Sequence, residues 1–110
     1  MNKEKIFIFD TTLRDGAQTE GVDFSLEDKK RIANILSEIG IDYVEGGWPG
    51  ANPVDTEFFS KPLNLNKTIF TAFGMTKKTG RSAENDPSLS PLITASCSAV
   101  CVVGKSWDFH

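Results

Sequence analysis

The apolar positions of this chain fall into short blocks of two alternating kinds. Ile6-Phe7-Ile8-Phe9 is an unbroken apolar run, the pattern of a strand buried on both faces. After it Ser25 precedes Leu26-Glu27-Asp28, and Ile32, Ile35, Leu36 and Ile39 recur at helical spacing. Ser25 reads as the N-cap, the two acids suit the positive end of the helix, and Gly40 is a natural stop. Ile41 to Val44 predicts a second strand, running into Glu45-Gly46-Gly47-Trp48-Pro49-Gly50. Asn52-Pro53 reads as a cap followed by proline in the first helical position, opening a short helix through Phe59 that Pro62 closes. Thr68 to Phe73 predicts a third strand and Val100 to Val103 a fourth, ending at Gly104. Asp86-Pro87 predicts a third helix on the same logic, although Pro91 and the Ser/Thr-rich surroundings imply a short or broken one.

Strand and helix signals thus alternate as βαβαβαβ. Right-handed parallel crossovers follow, giving an α/β sheet that is either doubly wound or part of a barrel. No internal repeat or low-complexity linker interrupts the order, and the polar stretch from Thr76 to Ser90 reads as a strand-to-helix loop.

The polar residues cluster where such a sheet places its ligands, at the C-terminal ends of the strands. Asp10 to Gln18 follow the first strand, Glu45 and its glycine-rich turn the second, Gly74 to Lys78 the third, and Lys105 to His110 the fourth. Asp15 is a hard oxygen donor suited to a divalent cation, and Arg14 suits a substrate carboxylate or an oxygen gaining negative charge. A structural ion pair or a solvated charged loop explains the same two residues. Gly46-Gly47 lacks the spacing and the lysine of a phosphate-binding loop, and reads as a turn that lets Trp48-Pro49 close over the pocket edge. Lys77 and Lys78 are either solvated charge or contacts for phosphate groups.

Composition narrows the class. At 110 residues and a net charge of -3 the chain has no basic footprint for nucleic acid, and no apolar run approaches a membrane span. The short run after Met1-Asn2-Lys3-Glu4-Lys5 is too brief for a signal peptide, so a cytoplasmic protein is expected. Cys97 and Cys101, with a single histidine in the chain, make no zinc site and read as two buried thiols.

Longer strings carry more. Leu13-Arg14-Asp15-Gly16-Ala17-Gln18, then ten residues, then Lys29, resembles the N-terminal motif of the 2-isopropylmalate, homocitrate and citramalate synthase family. Asp10-Thr11-Thr12 resembles that family's first strand end. Tyr43 to Pro53 and Gly104 to His110 resemble its citramalate synthase branch in particular. The resemblance covers nearly the whole chain. It implies a parallel (βα) half-barrel, the first four strands of a TIM (β/α)8 barrel, with residues 1–110 as the N-terminal part of the catalytic domain.

It also implies an acyltransferase of branched-chain amino acid biosynthesis, condensing acetyl-CoA with an α-keto acid, pyruvate in that branch. By resemblance Asp15 is a ligand of a divalent cation (Mg, Mn or Zn), and Arg14 contacts the keto oxygen. Gln18 reaches the same pocket and Glu45 either lines it or forms a salt bridge to Arg14. The family completes its metal site with a His-x-His pair on a late strand, absent here, so the 110 residues alone are expected to be inactive. A homodimer is expected of the full-length enzyme. A 2-isopropylmalate synthase-type or lyase-type member of the superfamily, or a noncatalytic half-barrel that binds a partner or itself, is the alternative.

Overall fold

A computed structural model describes residues 4–76, 80, 82, 85–87 and 89–104. Its elements are β1 (Phe9–Asp10), a single 3-10 turn (Gly16–Gln18), α1 (Leu26–Glu38), β2 (Tyr43–Gly47), α2 (Pro53–Phe58), β3 (Ile69–Met75), α3 (Ser90–Thr94) and β4 (Ala99–Val103). The four strands form one sheet in chain order, and every pair is parallel. The parallel half-barrel expected of the chain is the fold it has.

Local chemistry explains most of the boundaries. Ser25 and Asp28 form a reciprocal capping box, in which each side chain accepts from the other's backbone N–H, and Asp28 is thereby held below the usual carboxylate range. Gly40 takes φ +92° just beyond α1, a conformation that stops the helix and that glycine adopts without strain. The Asn52 side chain caps α2 by accepting from the Asp55 N–H at 2.8 Å, with Pro53 in the first turn.

The core lies between the helices and one face of the sheet. Phe58 and Phe59 close on Phe70, whose ring stacks on Phe59 at 4.6 Å between centroids and meets the edge of Phe58 at 5.0 Å. Leu13, Val44, Ala72, Ala33, Leu65 and Leu92 complete the same cluster. The other face carries Glu45, Thr71, Phe73 and Cys101 by strand alternation.

Four expectations are corrected. The Ile6–Phe9 run is not buried on both faces: all four residues are exposed, because β1 is an edge with β2 as its single neighbour. The buried stripe of α1 is Lys29 and Ala33 flanked by Leu26, Ile32 and Leu36, whereas Ile35 and Ile39 face outward. Helix α3 opens at Ser90 rather than at Asp86-Pro87; Asp86 lies buried in the preceding turn and accepts from the Leu89 N–H at 3.2 Å. Pro91 then falls in the first turn, where a missing N–H breaks no helical bond. Cys97 and Cys101 are free thiols, half-buried rather than buried. None of the described helices is long and apolar enough to cross a membrane.

Candidate active site

Strand β2 ends differently from the sequence expectation, and the difference builds the site. Glu45, Gly46 and Gly47 belong to the strand, and its register with β3 slips between Glu45 and Gly47. This extra residue is a bulge, the device that re-aims side chains beside functional sites. Gly46 occupies the bulge because nothing larger fits: a Cβ there would run into the Phe70 ring and lie 3.0 Å from Phe58. Gly46→Ala should therefore cost about 2–3 kcal/mol by overpacking rings that are themselves locked together. Urea unfolding checks this, with Gly16→Ala, whose new Cβ meets only Thr12 at 3.5 Å, expected to lose little.

The loop after β1 turns sharply. Thr11 O accepts from the N–H groups of Arg14, Asp15 and Gly16, and Asp10 accepts from both the backbone and hydroxyl of Thr12. The turn buries Leu13 completely and sends Arg14 back over the sheet. There the Arg14 Nε donates to Glu45 Oε1, and the guanidinium carbon lies 4.3 Å from the centre of the Phe73 ring. Glu45 is 1 % exposed and Arg14 21 %, so the pair is a shielded one. Trp48 presses its edge against Phe73 at 5.2 Å. Cys101 approaches from β4: burial pushes its thiol up, and the Glu45 carboxylate hydrogen-bonded to it adds to the effect.

Arg14 and Gln18 also line a cleft of about 370 Å³ between the first two loops, together with Lys29, Trp48, Asn52 and Asp55. Asp15 is not part of that lining. Its carboxylate is 64 % exposed and stands 3.9 Å from Arg14, offering one hard oxygen group at the rim. Among the described residues no three His, Cys, Asp or Glu side chains come together to hold a metal ion. Asp15 is thus a single donor, and the residues in view do not form a metal site by themselves. Lys77, Lys78, Lys105, Asp108 and His110 lie outside the described residues.

Two further groups at the site escape a reading of the sequence, one of them visible there only as the end of a motif. Lys29 is 3 % exposed and its ammonium donates to Leu13 O at 2.8 Å, Gly46 O at 2.9 Å and Asp55 Oδ1. Asp55 itself, 8 % exposed, accepts through Oδ2 from the Trp48 N–H at 2.9 Å. The signal available for Asp55 is the third-position acid after the Asn52-Pro53 cap, which marks a helix start and says nothing of a buried cation.

Residues 5–79 match the HMGL-like family model, and the chain belongs to that family. Among curated proteins it is 52% identical to the (R)-citramalate synthase of Aquifex aeolicus over 97% of its own length and 47% identical to that of Sulfolobus acidocaldarius over 100%. It is 35% identical to the 2-isopropylmalate synthase of Sulfurisphaera tokodaii, again over 100% of its length. The chain spans 21% of each of those two citramalate synthases and 27% of that isopropylmalate synthase.

Proposed function

We propose that residues 1–110 are the N-terminal part of a TIM-barrel acyltransferase that condenses acetyl-CoA with pyruvate to give citramalate. The reading includes a cytoplasmic, homodimeric enzyme of isoleucine and leucine biosynthesis. The observation that carries it is Arg14, held at the top of β1 by a buried carboxylate from the top of β2, beside an open cleft. The similarity to citramalate synthases, greater than to the isopropylmalate synthase above, favours pyruvate as the keto acid.

The chemistry needs a cation at one oxygen. The methyl carbon of acetyl-CoA, after losing a proton, adds to the keto carbon, and the keto oxygen gains a negative charge before it is protonated. Water then cleaves the thioester and releases CoA. Arg14 supplies a fixed guanidinium for the developing oxyanion, and its bond to Glu45 means that it need not reorganise during the reaction. Phe73 covers one face of the guanidinium and keeps water from it. Gln18 orients the keto acid from the cleft wall. A divalent cation in this family would polarise the same carbonyl. Asp15 would give it one carboxylate, with its remaining donors coming from outside the described residues.

The test uses a full-length enzyme that contains this segment, with CoA thiol release as the readout. Arg14→Ala should lower kcat by roughly 100- to 1000-fold, the usual loss when one donor to an oxyanion is removed. Divalent metal affinity, measured by calorimetry with Mn²⁺, should stay close to wild type in Arg14→Ala and weaken in Asp15→Asn. Wild-type turnover in Arg14→Ala would show that the Arg14–Glu45 pair is merely structural.

A further inference from the structure

We infer that Lys29 and Asp55 are positioning residues for the condensation, a buried ion pair that sets where Arg14 and Glu45 stand. The inference rests on the reading of Arg14 given above.

The bonds of the pair carry the argument. An ammonium has three protons to donate, and Lys29 directs its three to Leu13 O, Gly46 O and Asp55 Oδ1. Leu13 is the residue before Arg14, and Gly46 is the residue after Glu45. One nitrogen therefore ties together the two backbone points from which the guanidinium and its carboxylate partner project. Asp55 extends the tie, since its second oxygen holds the Trp48 N–H while its own N–H takes the Asn52 cap. The Trp48 ring in turn meets Phe73, over which the guanidinium lies. The backbone is packed closely enough that a Cβ on Gly47 would lie 2.5 Å from Asp55 Oδ2.

A buried ion pair is a poor way to gain stability alone, because apolar side chains of similar volume often do as well or better. What an apolar pair cannot do is hold two carbonyl oxygens and an N–H, from the loop after β1, from β2 and from the turn after it, at fixed distances. Arg14 comes from the loop after β1 and Glu45 from strand β2, and their link needs both backbones in register. A misplacement on the order of 1 Å is enough to cost about 100-fold in rate at a reacting centre.

Two readouts separate positioning from support of the fold. Arginine side-chain ¹⁵N labelling of the full-length enzyme gives Nε–H signals, and the one that Arg14→Lys removes is the signal that belongs to Arg14. In wild type that signal should be resolved and slow to exchange, since its proton is held by a buried carboxylate. In Lys29→Arg it should shift toward free arginine and exchange at least about 10-fold faster, with amide dispersion elsewhere retained. In the full-length enzyme the same substitution should lower kcat by roughly 10- to 100-fold and leave KM for pyruvate within about 3-fold. If Lys29→Arg fails to fold, Asp55→Asn, which keeps the side-chain shape, is read in the same way. An unchanged Arg14 signal in a folded variant overturns the inference. Undiminished turnover in Lys29→Arg alongside lost turnover in Arg14→Ala also overturns it, and alone. Undiminished turnover in both variants removes the reading of Arg14 on which it rests.

Discussion

Lys29→Met should unfold the chain, or leave it so weakly folded that no cooperative transition survives at 25 °C. The substitution keeps the length and apolar stem of the side chain but removes its charge and three donors. Asp55 is then a carboxylate 8 % exposed with no cation, and Leu13 O and Gly46 O lose their partner within the core. Breaking a buried pair on one side costs about 3–5 kcal/mol, and the two carbonyls add to this. A domain of ordinary stability has about 5–15 kcal/mol in total. The double variant Lys29→Met/Asp55→Leu should recover part of the loss, because no charge is left stranded. It should not recover all of it, since the Trp48 N–H and both carbonyls remain unpaired. Denaturant melts of wild type, Lys29→Met, Asp55→Leu and the double variant form the cycle that measures this. A Lys29→Met protein as stable as wild type would mean that the pair contributes nothing to the fold.

The isolated 110-residue chain should self-associate at micromolar concentration and release no CoA from acetyl-CoA and pyruvate. Phe9 lies in β1, with Ile6, Phe7 and Ile8 in the segment leading into it, and Val100, Val102 and Val103 lie along β4, all exposed. Both edges offer unpaired backbone groups flanked by apolar side chains, which recruit further strands. A second copy pairing β4 with β1 on each side would bring eight parallel strands together. Light scattering checks the assembly, and Val102→Lys, placing a charge on the open edge, should shift it toward monomer. A monodisperse wild-type monomer with cooperative unfolding would defeat the argument. Any pyruvate-dependent CoA release by the chain alone would defeat the expected inactivity.

The parts of this fold legible in sequence are those decided locally. The Ser25 cap, the Gly40 stop and the Asn52-Pro53 start are read from neighbours within four residues, and the structure has all three. The alternation of strands and helices also survives, as does the gathering of polar residues at the ends of β1 and β2, with Arg14 meeting Glu45. What fails depends on distant partners. The apolar pattern ends β2 at Val44, because Glu45-Gly46-Gly47 reads as polar and turn-like, yet the bulge accommodates all three in the strand. The space for that bulge is shaped by Phe70, 24 positions beyond Gly46. Ile35 and Ile39 fit a helical stripe, but the face that meets the sheet is centred on Lys29, whose burial makes sense only once Asp55 is known. The Arg14–Glu45 pair is one of two readings that the sequence leaves open, and a separation of 31 residues hides it from any local pattern.

The sheet has its strands in the order in which the chain is made, β1-β2-β3-β4. No strand must wait for a later one to be inserted beside it, so each new strand docks on an edge already laid down. Synthesis at about 5–20 residues per second is slow beside the closing of such a unit. On the ribosome β2 can pair with β1 as soon as α1 and Gly47 have emerged. Until Asp55 has emerged as well, the Lys29 ammonium would lack its anion. The first point at which the nascent sheet becomes electrically complete is therefore the arrival of α2, well before the aromatic core gains Phe70.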